Sequence, residues 1–221
     1  MRRWLRDNGL TIALLTFFTV SLAGQAATGW SAENQERAEH GLAALNLASY
    51  LGSGQFLSAL FENWESEFLQ MWAYVMLTAY LFQRGSPESN DPDEEAPQDR
   101  DPALDARDPR APWPARHGGL AAKLYAHSLG AALLALFLAS FVLHWLNSAR
   151  AHAEEALEHG SAPPTFLQHL TDAQFWFESF QNWQSEFLST ALLILLAIVL
   201  RERGSPESKP VGAPNSETGT G

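Results

Sequence analysis

Four strongly apolar runs of this chain exclude charged side chains. Residues 8–32 and 124–149 contain no Asp, Glu, Lys or Arg over 25 and 26 positions, and residues 68–83 and 187–200 are shorter uncharged runs of 16 and 14. A helix rises about 1.5 Å per residue and the bilayer hydrocarbon is about 30 Å thick, so roughly 20 mostly apolar residues cross it. The two long runs are sufficient alone. The two short runs cross only if polar residues at one end enter the boundary with them. The pattern predicts four transmembrane helices.

The four runs are two copies of a pair. Sliding the sequence by 119 positions aligns residues 5–89 with 124–208 without a gap, and 31 of the 85 pairs are identical. The matches cluster: residues 61–69, Phe-Glu-Asn-Trp-Glu-Ser-Glu-Phe-Leu, face residues 180–188, Phe-Gln-Asn-Trp-Gln-Ser-Glu-Phe-Leu. Arg84-Gly85-Ser86-Pro87-Glu88-Ser89 faces Arg203-Gly204-Ser205-Pro206-Glu207-Ser208, and Glu39-His40-Gly41 faces Glu158-His159-Gly160. Such a duplication implies two equivalent hairpins. Each has an even number of crossings, so both copies enter from the same side as a parallel repeat, related by a pseudo-twofold axis along the membrane normal. Arg2, Arg3 and Arg6 before the first run also suit a secretory leader. The internal copy of that helix argues against the leader reading.

Charge placement adds an orientation. The chain has 14 basic and 25 acidic residues, a net charge of −11, which excludes a nucleic-acid binder because nothing neutralises phosphate in bulk. Twelve of the 14 basic residues lie before the first run, between residues 84 and 123, or after residue 200; Arg37 and Arg150 are the exceptions. The positive-inside rule therefore puts both termini in the cytoplasm. Residues 88–117, acidic and rich in proline, read as a disordered cytoplasmic linker, and residues 209–221 as a disordered tail. The first repeat is thus residues 1–87 and the second 118–208. The two Gly-Ser-Pro-Glu-Ser elements read as helix stops, with Gly at the C-cap and Pro just beyond.

Candidate chemistry lies at the outer ends of the short runs. Counting back about 20 residues from Arg84 and Arg201 places Glu67 and Glu186 at the hydrocarbon boundary, where an ionised carboxylate is costly and functional by default. Asn63, Ser66, Glu67 and Gln70 form a polar stripe at helical spacing, repeated as Asn182, Ser185, Glu186 and Ser189. The outward-running helices bring Gln25 and His144 to a similar depth. Together Glu67, Glu186, Asn63, Asn182, His144 and Gln25 make a candidate intramembrane polar site. The weightier alternative is structural: aromatic residues favour membrane interfaces and a Glu in a first helical turn complements the dipole. On that reading Phe61, Trp64, Phe180 and Trp183 are interfacial anchors. His40 and His159 read as loop residues rather than metal ligands. The chain has no cysteine and none of the usual hydrolase, metalloprotease or phosphate-loop motifs. No enzyme activity, cofactor or metal is expected.

Residues 3–10, the Glu-His-Gly element, residues 61–70 and Glu207-Ser208-Lys209-Pro210-Val211 together resemble a bacterial family of small multi-spanning membrane proteins known as a domain of unknown function. The likeness covers nearly the whole chain apart from the acidic linker and the last ten residues. It implies a location and a fold, and carries no activity or catalytic residues with it. One departure is that Pro163 and Pro164 follow the second Glu-His-Gly, where the first copy has no proline.

The expectation is an all-α polytopic protein of the cytoplasmic membrane, with four transmembrane helices arranged as two tandem parallel helical hairpins. Its expected role is non-enzymatic, packing or assembling through acidic-aromatic helix starts at the outer boundary. The alternative is a small proton- or cation-coupled transporter or channel using Glu67 and Glu186. The lipid bilayer is the expected partner, with a homo-oligomer left open.

Overall fold

A computed structural model describes residues 2–91, 93, 96–101, 104 and 108–219, the side chain of Arg2 excepted. Among these residues the secondary structure is helical, without a strand. The long helices are α2 (Gly9–Glu39), α4 (Gly54–Tyr80), α7 (Ser128–Glu158) and α9 (Ala173–Val199). Short helices lie between them: α1 (Arg2–Asp7), α3 (Leu47–Leu51), α5 (Trp113–His117), α6 (Gly119–Ala126) and α8 (Phe166–His169). Parts of the expected 88–117 linker lie outside the described residues; within it Pro97–Asp99 makes one 3-10 turn.

The helix bounds repeat as the sequence does. Helices α2 and α7 each have 31 residues, α4 and α9 each have 27, and in both pairs the second helix starts and stops 119 positions after the first. The local chemistry that sets these bounds recurs too. After α2, Gly41 adopts a left-handed φ of 70°, with Leu42 N–H donating to Arg37 O and Gly41 N–H to Ala38 O. After α7, Gly160 has φ 68°, with Ser161 N–H donating to Ala156 O and Gly160 N–H to Leu157 O. Both are Schellman endings. The His40 and His159 Nδ1 atoms lie 3.0 and 2.9 Å from the Glu36 and Glu155 carbonyls. Glu-His-Gly is therefore a helix terminator.

At their other ends α4 and α9 begin earlier than expected. The Ser53 hydroxyl accepts from Phe56 N–H at 3.2 Å, and the Asp172 carboxylate from Gln174 N–H at 3.0 Å. These N-caps satisfy amides that a helix start leaves open. Glu67 and Glu186 consequently sit 13 residues inside their helices rather than in the first turn. The dipole argument for them lapses, because that effect falls off within one turn.

The Gly-Ser-Pro-Glu-Ser elements also differ from the expected helix stops. Helix α4 ends at Tyr80 and α9 at Val199, several residues before Gly85 and Gly204. Each element instead closes a loop of its own. Ser86 and Ser205 accept from the Glu88 and Glu207 amides, both at 3.2 Å, while Ser89 and Ser208 accept from the Gln83 and Glu202 amides at 3.0 and 2.9 Å.

Three helices, α2, α7 and α9, are long and apolar enough to cross a membrane. Helix α4 matches α9 in length, about 40 Å at 1.5 Å per residue, but carries Glu62, Glu65 and Glu67. None of α2 is buried, and Leu10, Phe17 and Val20 are 76, 69 and 65% exposed. Soluble monomers rarely leave such continuous apolar surface uncovered.

The chain divides into two compact units. The first comprises Met1–Leu60 and Leu143–His169. In it the loop after α2 folds back on that helix: Trp30 Nε1 and Asn34 Nδ2 donate to Leu45 O at 2.7 and 3.1 Å, and Arg37 Nε to Ala43 O at 2.8 Å. Gly54 lies backbone to backbone on α7, where a Cβ would meet Ala151 N at 2.7 Å. His169, fully buried, places Nε2 2.9 Å from the Ser148 hydroxyl. The second unit comprises Phe61–Val142 and Leu170–Gly221. Its centre is aromatic, with Phe175 fully buried and 5.8 and 5.7 Å from the rings of Phe141 and Trp176.

Replacing Gly41 or Gly160 by Ala forces a Cβ into left-handed backbone and is expected to cost about 1–2 kcal/mol each. Gly24→Ala, mid-helix in open space, is expected to stabilise by about 0.5–1 kcal/mol. Unfolding in detergent reads both signs.

Candidate functional site

In the second unit, α4 and α9 are joined by side-chain hydrogen bonds at matched positions. The Trp183 indole N–H donates to Glu65 Oε1 at 2.9 Å, Asn182 Nδ2 donates to Glu62 Oε1, and Gln70 Nε2 donates to Thr190 Oγ1. The sequence separations are 118, 120 and 120. Constant separation over residues 62–70 means that the two helices run parallel and in register for about 12 Å.

Glu65 is the most demanding member. Its residue surface is fully buried, and an ionised carboxylate out of water is tolerable only with donors supplied. Trp183 offers a donor and nothing else, so the pair has one polarity. Its ring is held from several sides. Phe180 lies 5.4 Å away edge-on at 87°, Trp176 at 6.3 Å and 90°, and Phe137 at 6.2 Å and 69°. Trp176 is itself fixed by its indole N–H, which donates to Leu170 O at 2.8 Å. Thr190 continues the chain of bonds by donating to Glu186 O at 3.0 Å. The hydroxyls of the predicted stripe are consumed within their own helices: Ser66 and Ser185 donate to the Asn63 and Asn182 carbonyls at 2.9 and 2.8 Å.

The profile of a family described as "Domain of unknown function (DUF6766)" matches residues 1–220. The chain belongs to that family. No curated protein and no solved structure matches it.

In this DUF6766 chain the predicted site residues are distributed as follows. Asn182 reaches Glu62, and Glu186 lies within electrostatic reach of Glu67. Asn63 and Glu67 are exposed, whereas Glu186 and Asn182 are half-buried. Of the aromatic residues, Trp64 and Phe61 pair edge-on at 5.5 Å, mirroring Trp183 and Phe180. Gln25, half-buried, and His144, fully buried, belong to the first unit.

Sequence reasoning missed Glu62 and Glu65. On α4 and α9 it favoured carboxylates identical in the two copies, whereas Glu62 and Glu65 correspond to Gln181 and Gln184. Across two parallel helices, an off-axis residue meets a neighbour of its counterpart rather than the counterpart itself. The usable signal was the helical spacing of Glu62 and Glu65 beside Trp64.

A hydrogen bond to a charged group contributes about 1.5–3 kcal/mol. Trp183→Phe is expected to cost that amount and Asn63→Ala less than about 0.5 kcal/mol. In a double-mutant cycle Glu65→Gln and Trp183→Phe should be non-additive, measured by unfolding in detergent.

Proposed function

We propose that this DUF6766 protein is a non-enzymatic, multi-pass protein of the bacterial cytoplasmic membrane that packs or assembles through the acidic-aromatic stretches of α4 and α9. Its four long helices form two tandem parallel hairpins with both termini in the cytoplasm. The observation that carries this reading is the Glu65–Trp183 bond together with Glu62–Asn182 and Gln70–Thr190. These bonds engage Glu62, Glu65 and Gln70 of α4 in holding it against α9. The matched helix bounds and the uncovered apolar surface of α2 support the repeat and the membrane setting.

The second reading is a proton- or cation-coupled transporter or channel. It is favoured by one observation, the proximity of Glu67 to Glu186, since two like charges at one membrane depth can share a proton or a cation.

The two readings separate in liposomes. On the structural reading, Glu65→Gln lowers unfolding stability or assembly, and Glu67→Gln with Glu186→Gln changes no ion flux. A proton or cation flux lost in that double variant supports transport instead. Topology is tested separately, because the chain has no cysteine to remove. Single cysteines at Leu42 and Ser161 are expected to react with an impermeant maleimide on intact cells. Cysteines at Trp4 and Gly212 are expected to react only after permeabilisation.

A further inference from the structure

The segment after α9 is bound to the loop that follows α4. Lys209 is 2% exposed, and its ammonium donates to four backbone carbonyls: Gly85 at 2.6 Å, Asn215 at 3.0 Å, Glu217 at 3.0 Å and Pro214 at 3.2 Å. Gly85 N–H donates to Thr218 Oγ1, and Gly219 N–H to Ser86 O, each at 2.9 Å. Arg201 ties the same segment to the end of α9, donating to Ala197 O and Ile198 O on one side and to Ala213 O and Asn215 Oδ1 on the other. A Cβ on Gly85 would meet Asn215 O at 2.5 Å, so the approach is close. Gly85, Ser86, Pro87 and Ser89 are all buried.

Within this interface the two Gly-Ser-Pro-Glu-Ser loops bring like residues together. Both carboxyl oxygens of Glu88 are buried without a well-formed hydrogen bond, and Glu207, its counterpart 119 positions on, stands beside it. We propose that residues 209–219 form a strap over the first loop, and that a proton held by the Glu88–Glu207 pair tightens it.

Of the charged groups around Glu88, Glu207, exposed on the second loop, is the one that acts on it, after burial. Arg84 is exposed on the same loop, and Glu202 and Arg203 are exposed on the second. On the strap, the Lys209 ammonium is committed to its four carbonyls; burial first, then Arg201, draw its pKa down, while Glu217 opposes them. For Glu88, burial first and then hydrogen bonding and repulsion from Glu207 push the pKa from 4.5 up to about 7. A released Glu88 loses its proton near 4.5, so the docked strap holds one proton more between pH 4.5 and 7. Docking therefore weakens as pH rises through that window, by about tenfold per unit, and is flat above it. Acidification tightens the strap.

The test is hydrogen exchange on the full chain in detergent, following the Gly85 and Gly219 amides after correction for the intrinsic pH dependence. Protection is expected to fall by about two powers of ten from pH 5 to pH 7 and then level off. Glu88→Gln should remove the slope and keep protection high at pH 7.5, and Lys209→Met should lower protection at every pH. A wild-type protection that does not change with pH, or an unchanged slope in Glu88→Gln, overturns the proton device. Protection unaffected by Lys209→Met overturns the strap. Protection restored at pH 7.5 by millimolar Mg2+ in the wild type, and absent in Glu88→Gln, would replace the shared proton with a bridging cation and also overturn the proposal.

Discussion

An apolar helix keeps its own backbone bonds and asks nothing of its surroundings except that they not be water. Helix α2 states this constraint in its purest form, being long, uncharged over most of its length and without a buried residue. Hydrocarbon meets the demand because it solvates the side chains while the helix satisfies every amide internally. Once two such helices are fixed in lipid, the shorter apolar stretches of α4 and α9 inherit a problem. Their N-terminal halves carry carboxylates and amides, and these need partners that an apolar surrounding cannot provide. The hydrogen bonds between α4 and α9 are the answer the chain gives.

That answer also fixes the relation between the two copies. Antiparallel helices would pair positions whose numbers sum to a constant, while α4 and α9 pair positions whose difference is constant. A parallel contact between aligned segments brings equivalent residues close together, and Glu67 with Glu186 and Glu88 with Glu207 are such couples. Like charges meeting in this way are unfavourable unless a proton, a cation or water intervenes. Repetition of the sequence therefore creates carboxyl pairs as a by-product wherever equivalent acidic residues come close together.

Much of the helical layout was legible in the sequence because it rests on composition over long windows. The apolar runs that exclude charge fall mostly within α2, α4, α7 and α9, and the 119-residue shift matches the bounds of these helices. What composition did not carry was where helices start. Residues 54–63 mix Gly, Gln, Ser and Glu with apolar residues, yet a single Ser53 or Asp172 cap begins the helix there. The site was legible only in part. Asn182, Trp183 and Glu186 stood out as repeated residues, whereas Glu62 and Glu65 differ between copies and were passed over. Lys209 stood in a motif that carries the family resemblance, but nothing marked it as buried, since a lone lysine among Pro, Gly and Ser looks solvated until the carbonyls that surround its ammonium are seen.

The Gly85 amide and the Thr218 hydroxyl that it meets are 133 residues apart. Helices α7 and α9 are therefore synthesised before that amide finds its acceptor. The bond closes only after both long helices of the second repeat have been made, so it acts as a late lock rather than a guide to early folding.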